Sequence, residues 1–404
     1  MIDLRAFGTV WDFYNWIFGT NHMAEPPNTY GTFVALGFIV AFYIAILELK
    51  RREKEGFMKA QMQKMKVGGM KWGETLLYTV IGFILGMKIG GRIFSTAEYQ
   101  AMGPNNYILS SEGNYLVGFL FAVVFFLYNY IDNKKNYTGP EVEKDVLVRP
   151  FEHMGNILLL ALVGGILGSK LWDLVGNLNS AKMFLKNPLQ SLQSGLSIWG
   201  GLWGAALLIY FYAKKHAINI SFLLDSLAPA YFLAYAVGRL GCQMSGDGCW
   251  GVISDGFTKP AFIPQFLWGQ NYAHNVNNDG VPIIGCTENF CSMLPYSVFP
   301  TPIYETIAVI VLFFILWSLR KRLTKYPLLI CCIFMIMNGV ERFLIEFIRV
   351  TEKKMYFGIS GTEIITKHQW VALIMIGFAL ITIPRILKRG PVIPTLETNQ
   401  PVGN

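Results

Sequence analysis

A chain of 404 residues in which 53% of side chains are hydrophobic and only 15% are charged lies outside the range of soluble domains, which carry about 25% charge. Its net charge of +8 is dispersed in basic clusters between apolar stretches, a pattern that orients a chain in a bilayer and argues against nucleic-acid binding. The five histidines are scattered, and the six cysteines include no Cys-x-x-Cys spacing or accompanying His pair, so neither a metal site nor a cofactor is expected.

Taken in order, the chain opens without a basic-then-apolar segment ending in a small-residue cleavage site, so no cleavable leader is expected. Phe7, Trp11, Tyr14 and Phe18 fall at helical spacing and predict a short interfacial helix within 1–24. A first apolar run at 32–49 lies in the segment 25–56. Met58, Met62 and Met65, interleaved with lysines, then predict either a second interfacial helix or a solvated basic connector. Further runs at 75–94, 114–131, 155–175, 195–213, 222–241, 302–318, 327–348 and 369–387 bring the expectation to about nine transmembrane helices in an all-α polytopic membrane protein. The basic clusters occupy alternate connections, including Lys50 to Lys71, Lys134 to Arg149 and Arg320 to Lys325, whereas 95–113 has no Lys or Arg and 242–301 only Lys259. The N-terminus is therefore expected outside and the C-terminus in the cytoplasm. GFILGMK at 82–88 and GGILGSK at 164–170 are near-repeats, consistent either with Gly-rich helix packing or with an internal duplication. The expected organisation is an inserted or duplicated two-helix module at 57–152, a core at 153–390 and a tail at 391–404.

Ionisable groups within spans are costly and mark candidate sites. Asn338, Arg342, Glu346 and Arg349 recur at spacings that share one helical face. GRLGCQMSGDGCWG at 238–251 follows an apolar run and holds five glycines, with Gly238, Gly246 and Gly251 near Arg239, Ser245 and Asp247. Glycines there permit positive φ and close backbone approach. Tyr30, the SIWGGLWGA stretch around Trp199, and Tyr304 with Glu305 in TPIYE reach the same expected outer boundary. Cys242, Cys249, Cys286 and Cys291 map to the loop 242–301, an outer cap, and predict at least one disulfide with three connectivities open.

These residues together resemble the prolipoprotein diacylglyceryl transferase family of the bacterial inner membrane. Arg239, Asp247, Trp250 and Gly251 match a Gly-Arg pair followed by a Gly-rich loop with an acid and a closing Trp-Gly. Arg342 and Glu346 match an Arg and a Glu four apart in a later span, and Tyr30 and Tyr304 match the family's tyrosines. The likeness covers roughly 25–50 and 155–387 and leaves 57–132 without a counterpart. Three positions depart from it: the acid is Asp rather than Glu, with one extra residue before the Trp; Cys242 replaces an Asn; and Trp199 replaces a His. The resemblance implies transfer of a diacylglyceryl group from phosphatidylglycerol to a prolipoprotein cysteine, with the active face toward the periplasm and the signal peptide of the prolipoprotein as partner. It implies catalytic roles for Arg239, Asp247, Arg342, Glu346 and Tyr30. Gly238, Ser245, Gly246, Gly251, Trp199, Tyr304, Glu305, Asn338 and Arg349 would contact substrate. The alternatives are a non-catalytic lipid or lipoprotein binder, suggested by the departures, and a transporter, suggested by Lys88, Arg92 and Lys170 within spans.

Overall fold

A computed structural model describes residues 5–20, 27–69, 71–94, 107, 110–135, 137, 139–140, 142–176, 178–186, 198–286, 290–350 and 365–394. Its helices are α1 (Val10–Phe18), α2 (Thr29–Lys54), α3 (Trp72–Phe94), α4 (Tyr115–Lys135), α5 (Met154–Gly176), α6 (Leu178–Lys186), α7 (Ile198–Lys215), α8 (Ile220–Ser245), α9 (Thr301–Leu323), α10 (Leu329–Ile345) and α11 (Lys367–Arg389). Among the described residues, seven helices are long and apolar enough to cross a membrane: α2, α3, α4, α5 with its leading 3-10 turn, α8, α9 and α11. The other two expected spans correspond to α7 and the 17-residue α10.

Two short antiparallel sheets accompany the helices. β1 (Gln61–Val67) pairs along its length with β2 (Val142–Val148). Residues 61–67 of the methionine–lysine stretch are therefore a strand, where the sequence left either an interfacial helix or a solvated connector open. Gln61 and Gln63 are half-buried while Met62 and Lys64 are exposed, the period of two that a strand presents. The second sheet, β3 (Val281–Pro282) with β4 (Ser292–Met293), lies between α8 and α9. The aromatic N-terminal helix forms, but it starts at Val10: Thr9 and Asp12 make a reciprocal capping box, and Phe7 lies before it, buried.

The chain packs as two compact units, Met1–Lys59 with Pro150–Met154 and Ile218–Asn404, and Ala60–Arg149 with Gly155–Ala217. In the second unit α3 packs along α4, and Lys88 donates to the carbonyls of Tyr107, Ser110 and Glu112 at 2.7 Å each. The near-repeat lysines thus tie local structure: Lys170 pairs with Asp173 at 3.4 Å. Gly164 and Gly168 of α5 face Gly200 and Gly204 of α7 so closely that a Cβ on Gly204 would stand 2.2 Å from the Gly164 carbonyl oxygen. That contact is the small-residue packing expected between membrane helices.

In the first unit α8 packs against α2 and α9, and α10 against α11. Phe232, Val309, Leu316 and Ile330 are fully buried in its core. At the end carrying the basic residues, Glu48 is buried among Arg51, Arg52 and Arg320. Beside it Asp225 accepts the backbone N–H groups of Leu328 and Cys331 at 2.8 Å each. This carboxylate supplies the cap that Leu328, with φ of 72°, does not provide for α10. Asp225→Ala should therefore lower stability by about 2–5 kcal/mol, two buried donors losing their partner, and Asp225→Asn by about half of that. Thermal unfolding of the purified full-length protein checks this, and equal midpoints for wild type and Asp225→Ala would refute the capping role.

Candidate functional site

The opposite end of the first unit holds a second buried charge cluster, assembled from the ends of α8, α9 and α10. Glu305, on the second turn of α9, is completely buried. Its Oε2 lies 2.5 Å from Arg239 Nε and accepts the hydroxyl of Tyr235 at 2.5 Å; Arg342 Nη1 stands 3.9 Å away. Its Oε1 lies 3.5 Å from Arg349 Nη1. Arg342 also pairs with Glu346 at 3.1 Å, an i,i+4 contact. Three guanidiniums thus meet Glu305 and Glu346; Glu341, buried beside Arg342, is a third carboxyl group of the cluster, so the six groups balance in charge when all are ionised.

Local folding explains how the chain delivers these groups. The apolar face of α8 continues unbroken through Gly238 and Gly241 to Ser245, so Arg239 sits on the helix and not on a loop. The sequence places the end of this span near 241; the helix runs one turn further, because the left-handed cap needed to stop it falls at Gly246, with φ of 62°. Arg239 then follows Tyr235 by four residues, on one face, and its guanidinium lies 5.2 Å from that ring. In α10 the expected four-residue face holds for Arg342 and Glu346, whereas Arg349 lies beyond the helix end. Hydrogen bonds from Val252 N–H to the Ile348 carbonyl and from Val350 N–H to the Trp250 carbonyl align it with the strand-like exit from α8.

Asp247 lies apart from the ion pairs. Its Oδ1 accepts the Cys249 N–H at 3.2 Å, and its carboxylate, Cys242 Sγ and Cys249 Sγ all lie within 4.8 Å of one another. Arg239 Nη1 reaches Cys242 Sγ at 3.9 Å, linking this rim to the arginine cluster. Tyr30, half exposed on the first turn of α2, lies within electrostatic reach of Cys242, Asp247, Cys249 and Arg239. Tyr304 donates to the Leu267 carbonyl at 2.5 Å, and Ser245 is buried against the end of its own helix. Gly251 lies against the Ile348 carbonyl, where a Cβ would approach to 2.7 Å. A Cβ on Gly238 would meet open space, and Asn338 is half-buried on α10. Trp199 belongs to the first turn of α7 in the other compact unit, and its side chain lies outside the described residues.

Three residues at this cluster escaped the sequence reading. Tyr235 was detectable by its i−4 spacing from Arg239. Glu341, buried beside Arg342 with both carboxylate oxygens lacking a hydrogen-bond partner, was detectable as a charge within an apolar helix. His368, within electrostatic reach of Arg342 and Glu346, had no local signal, since only the docking of α11 against α10 brings it there. In the segment between α8 and α9, Cys286 and Cys291 form a disulfide with Cα atoms 5.6 Å apart, while Cys242 and Cys249 are free thiols. Burial pushes the Tyr272 hydroxyl well above its ordinary range, and it donates to Gln243 at 2.8 Å beneath Trp250.

Apolar helices long enough to span a bilayer, with a buried cluster of three arginines at one end, define a multi-pass membrane protein. The family described as prolipoprotein diacylglyceryl transferase matches residues 114–384. The chain belongs to that family. It is similar to the phosphatidylglycerol–prolipoprotein diacylglyceryl transferase of Clostridium tetani, 28% identical over 243 residues, covering 59% of this chain and 83% of that one. The protein of the same name from Leptospira interrogans is 29% identical over 242 residues, covering 54% and 68%, and that of Stenotrophomonas maltophilia 25% over 240 residues, covering 58% and 75%. The family match starts at 114, so it takes in α4, left without counterpart in the sequence reading, and does not reach Tyr30.

Glu305 is the shared partner of three cations, so Glu305→Ala should be more damaging than loss of any one arginine. Breaking a buried pair typically costs about 3–5 kcal/mol. Thermal unfolding of Glu305→Ala beside Arg349→Ala checks the order; a smaller loss for Glu305→Ala would show that the cluster is not centred there.

Proposed function

We propose that this chain transfers the diacylglyceryl group of phosphatidylglycerol to the lipobox cysteine thiol of prolipoproteins, at the periplasmic face of a bacterial inner membrane. The arginine cluster around Glu305 carries this reading: three guanidiniums gathered at the buried end of α8, α9 and α10 can offer planar N–H forks to one phosphodiester anion. The sulfur of the acceptor attacks the glycerol carbon bonded to the phosphate oxygen. A C–S bond forms, the C–O bond breaks, and glycerol phosphate leaves with the electron pair. Arg239 and Arg342 stabilise the charge that develops on that leaving group.

Glu305 holds both arginines in place and Glu346 holds Arg342 from the other side. The thiol proton needs an acceptor, and a thiol with an ordinary pKa near 8.5 requires only modest help. Asp247 at the rim, Glu346 and the phosphate oxygens are the candidates for that role. Tyr30, Gly238, Ser245, Gly246, Gly251, Tyr304 and Asn338 would line or shape the approach of headgroup and peptide. In this reading nine helices cross the membrane, with the N-terminus and the segment 246–300 outside as a periplasmic cap.

Arg239→Ala and Arg342→Ala should each slow lipidation by about tens-fold or more, from the loss of roughly half of a buried pair's worth in the transition state. Arg→Lys should rescue poorly because an ammonium lacks the planar fork, and Trp199→Phe should be mild. Mass spectrometry of a lipobox peptide incubated with phosphatidylglycerol and each folded variant measures this. Retention of lipidation in both alanine variants would refute the phosphate clamp. Headgroup binding with no lipidation by wild type would instead identify a non-catalytic binder.

Orientation is tested separately. Thr258 and Lys321 are exposed, so a cysteine at position 258 should react with an impermeant thiol reagent in intact spheroplasts and one at 321 only after permeabilisation. The reverse pattern would invert the topology.

A further inference from the structure

Cys242 and Cys249 are two free thiols with no part in the reaction described above, yet they stand together with Asp247 within 4.8 Å at the edge of the arginine cluster. The turn between them is built to bring them together. Gly246 and Gly248 adopt φ of 62° and 87°, which reverses the chain at the end of α8. Thr301 Oγ1 donates to the Cys249 carbonyl at 2.6 Å, and Gly251 N–H to the Phe299 carbonyl at 2.8 Å, which anchors the returning strand. Cys242 is buried and Cys249 partly exposed. The nearby Cys286–Cys291 disulfide, in the same segment between α8 and α9, indicates that this end of the molecule folds where thiols are oxidised.

A divalent metal is the competing occupant of two thiols and a carboxylate. Arg239 Nη1 lies 3.9 Å from Cys242 Sγ, and Arg349 is within electrostatic reach of Cys249. Cations so placed oppose a dication and favour thiolate chemistry. A hydrogen bond from Cys242 lowers the pKa of the Cys249 thiol, the more exposed of the two, which favours it as the attacking sulfur.

We propose that Cys242 and Cys249 are a redox-active pair whose reversible disulfide tunes the anion affinity of the adjacent arginine cluster. The oxidant is a disulfide-bearing thiol oxidoreductase. The Cys249 thiolate attacks its disulfide to form a mixed disulfide, and Cys242 then attacks Cys249 Sγ. The oxidant leaves as a dithiol, having received two electrons and two protons. In the reduced pair Cys242 Sγ accepts from Arg239 Nη1 at 3.9 Å and competes with phosphate for it. In the disulfide that sulfur is bonded to Cys249 and is the poorer acceptor, so Arg239 is left to the incoming anion. Oxidation therefore tightens anion binding, and reduction weakens it. The consequence for turnover rests on the transfer reading; the bridge itself and its effect on binding do not.

Peptide mapping of alkylated full-length protein should show Cys242 joined to Cys249 after treatment with glutathione disulfide, and both alkylated after a phosphine reductant. Glycerol phosphate binding, measured by calorimetry in detergent, should be about fivefold or more tighter for the oxidised protein, the lower end of typical coupling between linked equilibria. A Cys242→Ser, Cys249→Ser protein that retains the Cys286–Cys291 bridge should show no redox response. Both thiols remaining alkylatable after oxidation would overturn the proposal. So would a bridge that leaves binding unchanged within about twofold, or stoichiometric zinc, found by elemental analysis, that protects the thiols until chelated. If binding follows the redox state while no form lipidates a peptide, the pair is established and the transfer reading fails.

Discussion

Everything at the proposed catalytic end depends on one buried carboxylate. Glu305 is fully enclosed and meets Arg239, Arg342 and Arg349 from two further helices and a turn. A charge at that depth is tolerated only when paired, and three guanidiniums within one cluster are tolerated only around an anion. The carboxylate therefore gathers α8, α9 and α10. Tyr235 adds a neutral donor to the same oxygen that Arg239 meets, fixing the carboxylate without adding charge.

The far end of the same unit solves a related problem differently. Glu48 is buried with Arg51, Arg52 and Arg320, and Asp225 spends both its oxygens on backbone N–H groups of α10. There Asp225 is committed to a helix terminus and Glu48 to helix pairing, so the cluster stitches α2, α8, α9 and α10 together. Buried guanidinium nitrogens without a hydrogen bond occur at both ends, Arg52 Nη1 and Nη2 at this one and Arg342 Nη1 and Arg349 Nε at the proposed site. The proposed site differs in that Glu305 meets side chains from α8, α10 and the turn beyond α10, where Asp225 meets backbone.

Much of this was legible in the sequence because membranes impose simple rules. Apolar runs long enough to span, and charges inside them, can be read without tertiary information; Arg239, Arg342 and Glu346 were found that way. Arg349 was also found, though for an incomplete reason, since it reaches Glu305 from a turn beyond the helix. Glu305 was read as one polar group among several. Its centrality depends on α9 lying between α8 and α10, which no local pattern encodes. The β1 strand was misread because methionine and lysine favour helices by propensity, while its pairing with β2 is set by a partner some eighty residues away. The Cys286–Cys291 bridge was expected as one of several pairings, and the remaining two thiols came together only through the glycine turn.

That turn also gives a physical account of two departures from the family pattern. Against the pattern that the resemblance implies, Asp247 stands for a Glu and one more residue precedes Trp250. Asp247 Oδ1 accepts the N–H of Cys249, two residues on, a contact that an aspartate makes readily and that the longer glutamate side chain makes poorly. The added residue fits because Gly248 takes φ of 87°. The backbone then still delivers Trp250 onto Tyr272 at a centroid distance of 5.1 Å and Gly251 alongside Arg349. The pairing of Gly251 with Arg349 at the end of this acid-capped turn holds the third arginine of the cluster through the backbone.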